Sequence, residues 1–342
     1  MRQRLFCFVI SFLVLLSVGS LYPFEARADI YVSNFIGSSV ATWPSNATGN
    51  TAPTTSIAGG ATTLNGCRGV DIDANWIYVA NNNGSVTIFP INATGNVAPT
   101  RTISGGSTNL APFPSGIAVD ANWIYVTNYL NHNIVVFPIN ATGNVAPTRT
   151  IAGGSTTLNF PNEIAVDANW MYVTNFNNSI LVFPINATGN VVPTRTISGG
   201  STTLNNPAGI AVDASWIYVA NYNTNSITVF PINATGNAAP TRTISGGSTA
   251  LNNPVAIAVD ASSIYAANYP PNNSITVFPI SASGNVVPAQ TISGGSTTLN
   301  SPWGVAVSGG LTVPTINEWG MIIFMALAGL GAIYYLRRRH SV

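Results

Sequence analysis

A segment of about 47 residues recurs six times between residues 29 and 308, and this repeat constrains the fold more than any other feature of the chain. An Ile-Tyr-Val element, or a close variant, begins at Ile30, Ile77, Ile124, Met171, Ile217 and Ile264. Five copies of Asn-Ala-Thr-Gly-Asn and one Ser-Ala-Ser-Gly-Asn recur at the same period. Helical pairs of this length need Leu/Ala/Glu-rich heptads, which the repeats lack. The period therefore predicts one four-stranded propeller blade per repeat.

One repeat unit, taken from residue 209 onward, contains four predicted β-strands rich in β-branched and aromatic residues. They are Gly209–Asp213, Trp216–Asn221, Ser226–Ile232 and Thr241–Ile244, with a turn at Asn233–Asn237. The small, apolar first strand suits a propeller channel. The polar fourth strand suits the outer edge, where charge discourages sheet pairing. We expect the Trp of the second strand and the Phe of the third to fill the wedge between blades.

The phase of the repeat predicts how the ring closes. The first repeat begins at a second strand, Ile30–Asn34, whereas Trp303–Val307 is a first strand with no second strand after it. Pairing these two strands completes one blade and removes the open ends of the array. The predicted fold is therefore all-β. It is a six-bladed β-propeller of four-stranded antiparallel blades, formed by residues 29–312.

Two copies of the second strand spell Tyr-Val-Thr-Asn, at residues 125–128 and 172–175. This pattern resembles the YVTN and NHL-like repeats of extracytoplasmic β-propellers, over about 280 residues. The resemblance implies a binding or surface-layer module more often than an enzyme. Because propellers host many activities, it is specific for the fold and not for the function.

Residues 1–28 have the features of a secretory signal peptide. Two Arg residues within the first four positions precede an apolar run over residues 5–18, and an Ala-Arg-Ala cleavage site ends at Ala28. The alternative is an uncleaved anchor, but a run of about 14 residues is short for a bilayer. We expect cleavage after Ala28 and export of the remaining chain.

The C-terminus carries a second targeting element. Residues 320–336 are uncharged and mostly apolar, which predicts a short transmembrane helix at the lower limit of spanning length. Arg337, Arg338 and Arg339 follow at once, and basic residues stay on the cytoplasmic side. The preceding chain is therefore expected at the cell surface or outer envelope, with a C-terminal membrane anchor before any processing.

The segment before this stretch contains Pro314, Thr315, Glu318 and Trp319. Together with the apolar stretch and the Arg cluster, it resembles the IPTL-CTERM tail, a bacterial protein-sorting signal. Val313 and Ile316 stand where the namesake motif has Ile and Leu. The resemblance implies that an exosortase-like membrane peptidase recognises the four motif residues and processes residues 313–342. An ordinary C-terminal anchor with an interfacial Trp is the alternative.

Charge and cysteine content exclude several classes of function. Only 6% of the residues are charged, and residues 29–312 contain five Arg against eight acidic residues. A net charge of about −3 offers no electrostatic case for nucleic-acid binding. Cys67 is the single Cys of this segment, so no disulfide forms within it. We found no phosphate loop, nucleophilic triad or Cys/His cluster, and we predict no cofactor, no metal site and no catalytic residue.

Residues that recur in every blade are explained by the blade itself. The recurring Asp residues are predicted to bond the backbone of their own hairpin turns rather than metal ions: Asp73, Asp120, Asp167, Asp213 and Asp260. The recurring Arg residues are predicted to be solvated charges on the outer strands: Arg101, Arg149, Arg195 and Arg242. The five Asn-Ala-Thr sequons are interpreted as turns rather than glycosylation sites.

Residues that depart from the repeat are better candidates for a site. Arg68, Glu163 and Trp303 lie near the start of first strands, where other blades have small or amide residues. His132 lies in a second-to-third-strand loop, so all four are expected at one mouth of the propeller. Arg68, His132 and Glu163 offer acid–base groups for a lyase or lactonase-like enzyme. A metal-dependent lactonase needs several converging ligands, and one His and one Glu are too few. The enzyme is therefore only the alternative hypothesis.

An aromatic residue follows the last Asn of the second strand in five blades, and Asn82 is the exception. These residues are Phe35, Tyr129, Phe176, Tyr222 and Tyr269. Aromatic rings among Asn, Ser and Thr suit stacking on sugars or docking of a polymer, and packing between blades is the alternative explanation. Three hypotheses remain open: a surface-binding module for an unknown glycan or protein ligand, an enzyme, and a structural envelope component.

Overall fold

The computed structural model describes residues 29–110 and 112–309, which form six four-stranded antiparallel sheets arranged as the blades of one propeller. Strands are numbered in chain order. The innermost strands are β4 (Cys67–Ile72), β8 (Pro114–Val119), β12 (Pro161–Val166), β16 (Pro207–Val212), β20 (Pro254–Val259) and β24 (Pro302–Val307). The second strands are β1 (Asp29–Asn34), β5 (Trp76–Asn81), β9 (Trp123–Asn128), β13 (Trp170–Asn175), β17 (Trp216–Asn221) and β21 (Ser263–Asn268).

The outer half of each blade consists of a six-residue third strand and a shorter outermost strand. The third strands are β2 (Ser39–Pro44), β6 (Ser85–Pro90), β10 (Asn133–Pro138), β14 (Ser179–Pro184), β18 (Ser226–Pro231) and β22 (Ser274–Pro279). The outermost strands are β3 (Thr55–Ile57), β7 (Arg101–Ile103), β11 (Arg149–Ile151), β15 (Arg195–Ser198), β19 (Arg242–Ile244) and β23 (Gln290–Ile292). The predicted order of the strands within each blade is confirmed.

The ring closes as the phase of the repeat predicts. Blade 1 has the strand order β24-β1-β2-β3, and blades 2 to 6 follow from β4–β7 to β20–β23. Ile30 pairs with Val307 and Val32 with Val305 in the closing ladder. Because the last strand of the chain completes the first blade, the propeller has no open blade at either end.

The hydrophobic core is divided into six clusters, each shared by two neighbouring blades. The second strands contribute fully buried Tyr side chains such as Tyr78 and Tyr125, and the third strands contribute Phe side chains such as Phe89 and Phe137. The predicted role of Phe in the wedge is confirmed. The predicted role of Trp is only partly correct, because Trp76 and its counterparts are half-buried and the Tyr two residues later fills the wedge.

The Asn-Ala-Thr-Gly-Asn turns link each blade to the one before it. The Gly95 N–H donates to the Ser56 carbonyl at 2.6 Å, and the Asn96 Oδ1 accepts from the Ala61 N–H at 2.8 Å. Equivalent bonds recur around the ring, including the closing bond from the Ser296 N–H to the Asn50 Oδ1 at 2.7 Å. Each outermost strand is therefore partly covered by the neighbouring blade rather than left as a free edge.

The prediction that the recurring Arg residues are solvated edge charges is wrong. The Arg101 guanidinium lies 5.1 Å from the ring centroid of Trp76, and its Nη1 donates to the Ile139 carbonyl of the next blade at 2.6 Å. Arg149, Arg195 and Arg242 repeat this arrangement. The long side chain folds back over an aromatic ring and bonds a carbonyl, so these Arg residues join blades.

The predicted signal peptide with its Ala28 cleavage site, the sorting motif and the predicted transmembrane stretch lie outside the described residues. Within residues 29–110 and 112–309, no helix has the length and apolar character needed to cross a bilayer.

Candidate functional site

The two faces of the propeller carry different sets of loops. The second-to-third-strand loops and the connections into the innermost strands lie on one face, which we call the mouth. The hairpins between first and second strands and the Asn-Ala-Thr-Gly-Asn turns lie on the opposite face. Arg68, His132 and Trp303 therefore lie at the mouth, whereas the recurring Asp and Arg residues belong to the opposite face.

Aromatic side chains make two contact clusters at the mouth. In the first cluster, Trp303 lies between Phe35 and Tyr269, at ring-centroid distances of 5.5 and 5.4 Å. In the second, Phe160 contacts Tyr129 at 5.0 Å and Phe176 at 6.0 Å. Phe176 remains 51% exposed, and Ile36 and Leu130 in the same set of loops are 63% and 46% exposed. The clusters combine packing between blades with an accessible apolar surface, which are the two roles that the sequence left open.

Tyr222, the remaining predicted aromatic residue of the mouth, is half-buried and packs against the core shared by blades 6 and 1. Its contribution is therefore to packing.

Two rings of the mouth are held in a backbone conformation that Phe rarely adopts. Phe113 and Phe160 have φ values of 75° and 46°. The matching positions of other blades are also left-handed but carry Gly, Asn or Ser, which tolerate this conformation better. Each Phe costs roughly 1 kcal/mol or more in backbone strain, and such outliers cluster at functional sites. Neither Phe was predicted as a site residue from the sequence, although the change from Asn or Ser to Phe at this position was a visible signal.

Arg68 lies in the first cluster of rings. Its guanidinium carbon is 4.5 Å from the Trp303 ring centroid, 5.2 Å from that of Phe113 and 5.4 Å from that of Phe35. Its Nε donates to the Asn82 Oδ1 at 3.0 Å. Burial lowers the pKa of Arg68 to about 10, so it stays protonated at neutral pH. The structure therefore brings together two of the four predicted site residues, Arg68 and Trp303.

His132 has a structural partner at the edge of the second cluster. Its Nδ1 accepts from the Phe160 N–H at 2.8 Å, and the two rings are 4.4 Å apart. In neighbouring blades, Asn178 and Asn225 accept from the matching N–H groups through their amide oxygens, both at 2.7 Å. His132 thus makes the hydrogen bond between blades that Asn makes elsewhere in the ring.

Glu163 points into the central channel instead of the rim. The channel contains a cavity of about 190 Å³ lined by the innermost strands of all six blades, and neither Arg68 nor His132 lines it. A methyl group on Gly116 would lie 2.6 Å from the Glu163 Oε1, so the glycine of the neighbouring strand makes room for this carboxyl. Arg68, His132 and Glu163 therefore occupy three separate environments.

A second carboxyl, Asp71, faces the same cavity, where other blades have Ala. Its Oδ2 accepts from the Val119 N–H at 2.8 Å. Burial raises the pKa of Asp71 to about 7, and burial together with the Asp71 charge raises that of Glu163 to about 8. Asp71 was not predicted as a site residue from the sequence, although it departs from the recurring Gly-Ile-Ala-Val-Asp pattern.

The recurring Asp residues bond their own turns, as predicted. The Asp213 Oδ1 accepts from the N–H groups of Ser215 and Trp216 at 2.7 and 2.8 Å, and its Oδ2 accepts from the Tyr218 hydroxyl at 2.7 Å. Asp73, Asp120, Asp167 and Asp260 make the same three bonds. Cys67 is buried and free, and burial raises the pKa of its thiol to about 12, which keeps it protonated.

The fold is similar to solved propeller structures of low sequence identity. A chain of the nidogen/laminin complex superposes with a TM-score of 0.61 at 18% identity, over 82% of this chain and 98% of that chain. A functionally unknown protein from Desulfotomaculum acetoxidans DSM 771 gives a TM-score of 0.52 at 15% identity, over 79% and 80% of the two chains. No protein-family model and no curated protein sequence matches the chain. At these identities the likeness shows the fold alone, which agrees with the resemblance to YVTN and NHL-like propellers.

Proposed function

We propose that this protein is an exported, cell-surface binding module whose ligand docks at the mouth of the propeller. The observation that carries the proposal is the grouping there of partly exposed aromatic side chains, two of which have a left-handed backbone. Phe176, Leu130 and Ile36 are exposed on this face. Phe113 and Phe160 keep left-handed backbones that cost stability, and both rings take part in the contacts of the mouth. A β-propeller suits such a role because its loops are displayed on a rigid scaffold.

The positions of the two ends support surface display. The Asp29 N–H donates to the Ser308 Oγ at 2.6 Å, and the Ser308 N–H donates to the Asp29 carbonyl at 2.9 Å. Both ends of the ring therefore lie together on the face opposite the mouth. In our proposal the tail that follows is recognised by an exosortase-like peptidase or anchors the protein in the membrane, and the mouth faces away from the bilayer.

The proposed role is not enzymatic. A lyase or lactonase of the kind considered from the sequence needs Arg68, His132 and Glu163 at one substrate. His132 is engaged by the Phe160 N–H, Arg68 lies among aromatic rings, and Glu163 lines the channel. We expect no turnover of a panel of lactones and polyuronates, and turnover abolished by Glu163→Gln would revive the enzyme hypothesis.

The binding proposal is tested by titrating the purified protein with cell-surface polysaccharides and following Trp and Tyr fluorescence. Phe176→Ala should weaken binding by about tenfold, because a stacked ring contributes on the order of 1 kcal/mol beyond its buried area. Val192→Ala is the matched control, since Val192 is 71% exposed in the same blade but lies beyond the turn on the opposite face. Equal effects of the two substitutions, or no binding by the wild type, would contradict the proposal.

A further inference from the structure

Arg68 differs from the other Arg residues of the described chain in the hydrogen bonds that its guanidinium makes. Arg101, Arg149, Arg195 and Arg242 each donate an Nη group to a carbonyl of the next blade. Among residues 29–110 and 112–309, Arg68 uses only its Nε, and its two Nη groups have no protein acceptor. A guanidinium with both Nη groups free presents the flat, two-donor edge that matches a carboxylate.

Blade 2 departs from the repeat at two positions that act together. Asn82 replaces the aromatic residue that follows the second strand in the other five blades, and Arg68 stands where blades 3 to 6 have Ser, Asn, Ala and Val. The two side chains form one hydrogen bond, from the Arg68 Nε to the Asn82 Oδ1. Asn82 therefore holds the guanidinium by its Nε side, while Trp303 and Phe113 pack against it.

We propose that the ligand of the mouth is an acidic oligosaccharide whose carboxylate binds the two Nη groups of Arg68. This inference rests on the proposed binding function and names the chemical class of the ligand. The carboxylate of a uronic acid accepts two parallel hydrogen bonds from the guanidinium, and the pyranose rings on either side stack on the aromatic clusters. Asn82 is a positioning residue, because it acts through Arg68.

The loops of the mouth favour a sugar over a peptide. Five of the six second-to-third-strand loops carry an exposed Asn: Asn83, Asn131, Asn177, Asn223 and Asn272. Amide groups beside aromatic rings match the alternating hydroxyl edges and C–H faces of pyranoses. Arg68 is the one Arg of the described chain at the mouth, so one carboxylate is held by charge and the rest of the ligand is held by rings and amide groups.

The test uses isothermal titration calorimetry of the full-length protein with three probes at one salt concentration. The probes are trigalacturonate, its neutral methyl ester and triglutamate, which carries carboxylates without sugar rings. We expect the wild type to bind trigalacturonate at least tenfold more tightly than the ester or triglutamate. Arg68→Gln should weaken trigalacturonate binding about 10- to 100-fold and leave binding of the ester unchanged, which shows that the variant is folded.

Further variants separate charge from geometry. Arg68→Lys keeps the charge but loses the two-donor edge, and it should also weaken trigalacturonate binding about tenfold. Asn82→Ala should weaken it several-fold, and Val192→Ala should have no effect.

Equal affinity for acid and ester, or an acid preference that survives Arg68→Gln, would overturn the inference while leaving the proposed function intact. Equal affinity for triglutamate would overturn the choice of a sugar. Absence of binding to any polysaccharide, acidic or neutral, would instead contradict the proposed function.

Discussion

Substitution of Glu163 should change how the stability of the propeller depends on pH. The Glu163 carboxyl lies in the channel, where burial and the neighbouring Asp71 charge raise its pKa to about 8, compared with about 4.3 in an unfolded chain. Within the described residues, Asp71 is the only other charged group that lines the cavity. The folded state therefore keeps a proton on Glu163 that the unfolded state has already released at neutral pH.

The sign and size of the effect follow from linkage. A carboxyl with a raised folded-state pKa contributes its full stability below about pH 4, and this contribution is lost as the pH rises toward 8. Between the unfolded pKa of about 4.3 and pH 7 lie about 2.7 pH units. Over this span the free energy of unfolding falls by at most about 4 kcal/mol. Because a cavity of about 190 Å³ is large enough to hold water beside two carboxyl groups, we expect the measured loss from Glu163 to lie between about 1 and 4 kcal/mol.

The assay is urea unfolding followed by Trp fluorescence, at pH 4 and pH 7.5, for the wild type and Glu163→Gln. Gln has the shape of a protonated Glu, so the two proteins should be about equally stable at pH 4. At pH 7.5, Glu163→Gln should be more stable by about 1 to 4 kcal/mol. Some pH dependence should persist in the variant because Asp71 remains, with a pKa of about 7. Parallel pH profiles for the two proteins would refute the reasoning.

Four other predictions follow from the closure of the ring, the turns, the blade links and the tail. Truncation before Pro302 removes the strand that completes blade 1 and should destabilise the whole propeller, so an unchanged cooperative melt would contradict the closure. Asp213→Ala should cost about 2 to 4 kcal/mol in urea unfolding through three lost hydrogen bonds, and loss of a bound metal ion on this change would overturn the turn interpretation. His132→Asn should be as stable as the wild type, because Asn restores an acceptor for the Phe160 N–H. His132→Ala should lower the free energy of unfolding by about 1 kcal/mol, and equal stability of the two variants would argue against this hydrogen bond between blades. Substitution of Glu318 or Trp319 in the native host should leave a membrane-held precursor, and mass spectrometry that finds the intact C-terminus on the wild-type surface protein would favour a plain anchor.

The sequence by itself determined the blade count, the strand order and the closure of the ring. These features follow from a fixed period, from β-branched strands separated by turns, and from the unpaired half-blades at residues 30–34 and 303–307. It also determined the role of the recurring Asp residues, because Asp213 and its counterparts bond groups only two to five residues away. Such interactions are local, and local pattern is sufficient to predict them.

Only the tertiary structure decided how residues from different repeats meet. Arg101 was predicted as an edge charge, but its long side chain reaches a carbonyl 38 residues away in the next blade. Asp71 and Glu163 share one cavity although they lie two blades apart, and His132 bonds a backbone N–H 28 residues further along the chain. These contacts depend on the direction of each side chain in the closed ring. A repeat pattern specifies which blade a residue belongs to, but not which neighbour its side chain reaches.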